Sequence, residues 1–268
     1  MLSLVSFLIH KKIGGDYMKI LDIYEDFSFK QKKLSDFKGR IASNGDGTTI
    51  SVLPQKDILT ERVLGVDEEF VYGSKLNPRT FSLYVYFENL VDVRDIAEWL
   101  NSDIAEEFFF VGDTVKCFAM LSDMCELETY YSHTQGGINY YQGLMDLKFI
   151  CYDPFYYYKE DKTFTYTTFS QAHTFDAGGS YKSYPRIKFE VNGNQNITYK
   201  LNGIQTEISG INQYCYVDGK YKSIEDFLGN KRGVLKGKYP VLKPKTNTFE
   251  LISGSVAKVI IECRSRLL

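Results

Sequence analysis

The chain has little of what most chemistry uses. Histidine occurs three times in 268 residues, tryptophan once and proline six times. His10, His133 and His173 stand far apart, which argues against a histidine-built metal or proton-transfer site. Five cysteines, at 117, 125, 151, 215 and 263, include no C-x-x-C pair, so zinc and thiol-redox motifs are unsupported. Their odd number and wide spacing suit buried, reduced thiols in a reducing cytosol. No excess of one charge exists: 32 basic against 34 acidic residues leaves −2, which signals no basic nucleic-acid face. The apolar run Leu2 to Ile9 is far shorter than the ~20 residues a bilayer span needs. Its lysines follow the run, the reverse of a secretion signal. No phosphate loop, dinucleotide fingerprint, G-x-S-x-G or H-E-x-x-H occurs, and Gly14-Gly15, Gly136-Gly137 and Gly178-Gly179 lack the context of a nucleotide site. Asn196-Ile197-Thr198 is a glycosylation sequon without a secretory context. The sequence makes no positive case for an enzyme, a cofactor or a metal.

What it has is aromatic residues: 21 tyrosines and 19 phenylalanines, types that favour pleated, half-buried strands. In the stretch 79–87, Phe81, Leu83, Val85 and Phe87 alternate with Ser82, Tyr84 and Tyr86, which predicts a strand with one dry face. A helix follows: Asp92 is a plausible N-cap, and Val93, Ile96, Ala97 and Leu100 recur at helical spacing. Trp99 lies beside that stripe and is expected in the core. Two strands, 106–111 and 114–120, meet at Gly112-Asp113. Glu106 and Glu107 resemble a glycosidase pair, but neighbours in a strand face opposite ways and cannot flank one bond. The same holds for Glu68 and Glu69. From Leu144 to Tyr152, Met145, Leu147, Phe149 and Cys151 share a face.

That strand must end near Pro154, which lacks an N–H and restricts Asp153. Asp153, Pro154, Phe155 and Tyr157 are therefore expected at a seam between domains, with Phe155 to Tyr158 as padding outside the sheet ladder. Beyond Pro185 the texture changes to short alternating strands punctuated by Asn192-Gly193, Asn202-Gly203, Gly210, Asp218-Gly219 and Gly229-Asn230. Ile187, Phe189 and Val191; Ile197, Tyr199 and Leu201; and Ala257, Val259, Ile261 and Cys263 form successive inward sets. This predicts a sandwich or jelly roll. At the other end, residues 1–17 do not read as fold. Gly14-Gly15-Asp16 before Met18 is what a translated ribosome-binding site would give, so Met18 is expected to be the biological start. Asn44-Gly45-Asp46-Gly47 predicts a turn rather than a calcium loop, because Leu53 stands where the bidentate Glu belongs. The expected organisation is an extension 1–17, a first domain 18–158, a linker 159–184 and a second domain 185–268.

The order of elements resembles the distal tail proteins of siphophages and prophages, over about Met18 to Leu268. The phrases carrying the likeness are MKILDIYEDFSF, RVLGVDEEFVYGSKLNPRTFSLYVYFENL, a helix ending AEWLN, EEFFFVGDTVKCFAML, and LKFICYDPFYY. The last, an apolar strand followed by Asp-Pro-Phe, is the most telling. YPRIKFEVNGNQNITYKLNG through GKYPVLKPKTNTFEL resembles the family's galectin-like domain. Lys245 and Thr246 intervene where the family has Pro-Gly-x-Asn, which places that local turn in question. The resemblance implies a mainly β fold: a tail-tube-like sandwich or barrel with one helix, then a galectin-like jelly roll. It also implies a structural baseplate protein, a homo-hexameric ring around the DNA exit channel. Expected partners are the tail tube protein, the tail-tip hub and a receptor-binding protein or fibre. The expected place is the virion tail tip, after assembly in the host cytoplasm, without membrane insertion or specific nucleic-acid binding. The alternative is a lectin contacting the host cell wall directly, which would use Tyr199, Tyr214, Tyr216 or Tyr221.

Overall fold

The structure is a computed structural model that describes residues 12–13, 16–17, 19–20, 26–43, 53–62, 64, 67–123, 125–230 and 234–268. The start at Met1 or Met18, His10 and the turn at 44–47 lie outside that set. The chain forms two compact units, Met1–Pro154 and Phe155–Leu268.

The first unit is built on one antiparallel sheet. Arg79–Asp92 and Ile138–Cys151, fourteen residues each, pair along most of their length, with Leu83 opposite Leu147 and Phe81 opposite Phe149. Gly39–Ser43 joins the free side of Arg79–Asp92. Val115–Leu121, Glu106–Phe110 and Phe27–Phe29 continue the sheet from the other strand. The alternation does the sorting: Leu83, Val85 and Phe87 point inward together with Met145, Leu147, Phe149 and Cys151. Helix Val93–Leu100 begins where the Asp92 carboxylate accepts from the Arg94 amide at 2.9 Å, a capped start. It lays Ile96, Trp99 and Leu100 on the core. Trp99 stacks on Phe27 and Phe37, with ring centroids 5.6 and 4.6 Å away. Its indole N–H donates to the Phe29 carbonyl at 2.7 Å, so the one polar atom of the ring is satisfied in the dry interior. Gly39 is required by a close approach: a Cβ there would lie 2.4 Å from Leu34 Cδ1.

The second unit is a β-sandwich made largely by one bent ribbon. Arg186–Leu201 and Ile204–Asp218 form a hairpin closed at Asn202-Gly203, both with positive φ, as a tight type I′ connection needs. Register shifts between Glu190 and Asn194 and between Gln195 and Ile197 bend it. The first half of Arg186–Leu201 pairs with Val256–Glu262, and the second half with Thr246–Ser253. The core contains Phe189, Tyr199, Ile208, Cys215, Phe249, Val259 and Ile261.

The second unit departs from four expectations. Asn192-Gly193 is the bulged corner of one strand rather than a hairpin turn. Residues 159–184 are not a linker: Thr163–Tyr166 pairs with Val256–Glu262, and His173–Asp176 with Thr246–Ser253, which extends the sandwich. Tyr156–Tyr158 is a short strand paired with Arg266–Leu267 rather than padding outside a ladder. Ala257, expected inward, is exposed, whereas Val259, Ile261 and Cys263 are buried.

Candidate functional site

The described surface holds few groups with chemistry to perform. Glu107 is paired with Lys116 at 2.7 Å, and Glu106 accepts from the Ser102 hydroxyl at 3.3 Å. Glu68 and Glu69 are exposed. His133 lies exposed in the strand Leu127–Gln135 of the first unit. In the second unit a ring nitrogen of His173 sits 2.6 Å from the Thr168 carbonyl, and the ring stacks on Tyr166. Among the described residues no three His, Cys, Asp or Glu side chains gather as a metal site, and no helix is long and apolar enough to cross a membrane. A shallow depression of about 490 Å³ is lined by Asp92, Arg94, Thr129, Asn139 and Tyr141 among others. The Arg94 side chain donates to both Asp92 oxygens, at 3.2 and 3.0 Å. That hydrogen bonding, with the Arg94 amide, holds the Asp92 carboxyl below its ordinary value. A carboxylate so engaged is a cap, not a general base.

The seam residues fall where the chain changes unit. Asp153 and Pro154 follow the strand ending at Cys151, and Phe155 opens the second unit, buried. The Arg266 guanidinium lies 3.5 Å from the Phe155 ring centroid, with the Tyr181 and Tyr184 rings 5.7 and 5.6 Å from it. Tyr157 is the antiparallel partner of Arg266. Of the tyrosines a sugar reader would use, Tyr199 is buried in the core, where burial pushes its phenol up. Tyr216 lies under the Arg186 guanidinium at 4.0 Å. Tyr221 is exposed.

The most unusual surface escaped the sequence reading. Lys56–Arg62 and Glu69–Leu76 form a separate two-stranded ribbon. Asn77 ties its base, its amide donating to the Gln55 carbonyl and its side chain to Asp57. Every side chain of Lys56–Arg62 is exposed. Ile58 is 64% exposed, Val71 66% and Tyr72 66%, and Leu59, Leu64 and Phe70 are open as well. Because Ile58-Leu59 and Phe70-Val71-Tyr72 are consecutive, apolar side chains leave on both faces of the ribbon. A hydrogen bond with Glu61 holds the Tyr72 phenol above its ordinary value.

The sequence matches no protein-family model and no curated protein. Solved structures do match. The crystal structure of the SPP1 Dit protein, described as a paradigm of hub adsorption apparatus in phages infecting Gram-positive hosts, superposes with a TM-score of 0.65 at 13% identity, covering 91% of this chain and 99% of that one. A chain of the phage P2 baseplate, in its activated conformation with Ca, gives 0.52 at 9% identity, covering 92% and 100%. One neighbour is thus described as part of a phage adsorption apparatus and the other as part of a phage baseplate. The chain therefore has the fold of the phage baseplate hub proteins of which SPP1 Dit is an example.

Proposed function

We propose that the protein is a structural phage tail-tip adaptor. It forms a hexameric ring that joins the tail tube to the hub and receptor-binding apparatus and surrounds the channel through which DNA leaves. The observation that carries this reading is the 56–76 ribbon. An isolated two-stranded hairpin is marginal in water, and one with apolar side chains on both faces needs cover that the described residues of its own chain do not give. A neighbouring copy supplies it. A contact of one surface on a different surface of the next copy closes into a ring when the rotation closes. Near-neutral net charge is compatible with a channel that does not retain DNA by phosphate neutralisation. The second unit, read as galectin-like, offers the attachment point for a receptor-binding protein or fibre at the virion tail tip.

Size-exclusion chromatography with light scattering tests this. The expected mass is six or twelve times the chain mass of 30.9 kDa. A stable monomer at high concentration that binds cell-wall glycan would sink the ring and favour a lectin.

A further inference from the structure

Two of the buried thiols are neighbours. Cys117, in Val115–Leu121, and Cys151, at the end of Ile138–Cys151, come from adjacent paired strands of the first unit. Their sulfurs are 3.6 Å apart and share a hydrogen bond. Both are buried and neither is in a disulfide. Arg79 stands directly opposite Cys151 in the ladder with Arg79–Asp92 and is itself buried. A cation beside one member of a thiol pair is the arrangement that favours a thiolate. Here the hydrogen bond with Cys117 holds the Cys151 thiol below its ordinary value, Arg79 adds to that pull, and burial opposes it. Cys117 is pushed the other way by the same hydrogen bond and by burial. The remaining thiols have no such partner: Cys215 and Cys263 are each pushed up to about 12 and Cys125 to about 11, with burial as the largest cause.

We infer that Cys117 and Cys151 are an oxidation site, a reduced pair that closes into a disulfide when the protein meets hydrogen peroxide. The attacking group is the Cys151 sulfur. It forms an S–O bond as the O–O bond breaks, and the departing hydroxide takes a proton to become water. Cys151 is then a sulfenic acid. The Cys117 sulfur displaces its hydroxyl: the S–S bond forms, the S–O bond breaks, and the leaving hydroxide takes the Cys117 proton as a second water. The two thiols lose two electrons and the peroxide gains them. An oxidant close to water in size is required because both sulfurs lie inside the sheet and are reached only through local opening of the strands. A bulky organic disulfide does not fit that route. The bond would close a loop containing the strand Leu127–Gln135 and pin Val115–Leu121 to the strand it already pairs with.

The probe is hydrogen peroxide acting on the folded full chain carrying Cys125→Ser, which removes the half-buried thiol. After quenching, the protein is unfolded without reductant, alkylated with N-ethylmaleimide and weighed. The expected result is a loss of about 2 Da before alkylation, two fewer alkylated sites, and a linked Cys117–Cys151 peptide in a non-reducing digest. The midpoint of thermal unfolding should rise by roughly 5 °C and return on reduction. Cys151→Ser in the same background should abolish the link, and oxidised glutathione should not form it. Oxygen added to either sulfur without a cross-link, or an unchanged count of alkylated sites, would overturn the assignment. Cys117 and Cys151 are both intact in this chain, and the unsubstituted protein, counted for alkylated sites in the same way, serves as a second test material should Cys125→Ser fail to fold.

Discussion

The 186–218 ribbon and the 56–76 ribbon are both antiparallel hairpins carrying large apolar side chains, yet one is the heart of a sandwich and the other holds its apolar side chains exposed. In the first, Ile187, Phe189 and Val191 alternate with Arg186, Lys188 and Glu190, so these three apolar side chains leave on one side and are covered together. In the second, Ile58 and Leu59 are adjacent, and so are Phe70, Val71 and Tyr72. No one-sided packing can cover such a ribbon. The comparison separates two arrangements of apolar residues: alternation lets one packed face cover them all, and adjacency in a strand leaves apolar side chains exposed on both faces.

The largest effect that would break this contrast is in the first ribbon. Phe189 is fully buried against Tyr199, with ring centroids 5.2 Å apart. Phe189→Ala should cost about 3–5 kcal/mol in denaturant unfolding, whereas Phe70→Ala should change the stability of the unassembled chain by no more than about 0.5 kcal/mol. Equal costs would abolish the distinction. Next comes the turn that holds Thr246–Ser253 in register. Asn247 is buried; its side-chain oxygen accepts from the Lys243 amide and the Asn202 side chain, and its NH2 donates to the Lys243 and Lys245 carbonyls. Asn247→Ala strands these groups and should cost about 2–3 kcal/mol by the same measurement. The double variant Ile58→Asp with Val71→Asp sharpens the comparison from the other side. Light scattering should show a single-chain mass while the unfolding midpoint of each unit stays within about 2 °C of the parent. An intact ring in that variant would remove the ribbon from the interface.

The smallest effects are electrostatic. Hydrogen bonds with Arg94 depress the Asp92 carboxyl, and hydrogen bonds with Lys188 and then Lys258 depress Glu190. Depressed carboxyls contribute stability in full above their unfolded values near pH 4, and lose it as pH falls through the lower folded values. Stability between pH 7 and 5 should therefore be flat with respect to these two groups and decline below. Asp92→Asn and Glu190→Gln should each flatten that decline slightly, as denaturant midpoints across pH would show; an unchanged slope would remove the cap and the Glu190–lysine cluster from the acid response.

Where a strand alternates and meets its neighbour across a one-sided core, the order of residues suffices to read it. Phe81 to Phe87, Met145 to Cys151 and Ile187 to Val191 are such strands, and the Asp92 cap and the stripe from Ile96 to Leu100 mark the helix in the same local way. Pairings across long separations are not local. Thr163–Tyr166 is four residues long, and its register is set by Glu262 opposite Thr163. Asn192-Gly193 has the composition of a turn, and only the bend imposed by strands on both sides makes it a bulge. The 56–76 ribbon defeats reading by periodicity because its apolar residues do not obey a period of two. For the same reason the candidate surface was the least legible part of the chain. The Cys117–Cys151 neighbourhood depends on diagonal placement across two strands, and nothing in the spacing of the five cysteines announces it.

The short strand pair Tyr156–Tyr158 and Arg266–Leu267 places the entry and the exit of the second unit side by side, one strand spacing of about 5 Å apart. A fold whose two chain ends meet can be lifted out and spliced into a surface turn of another protein without stretching the recipient. The Arg266–Phe155 stack lies at that same strand pair.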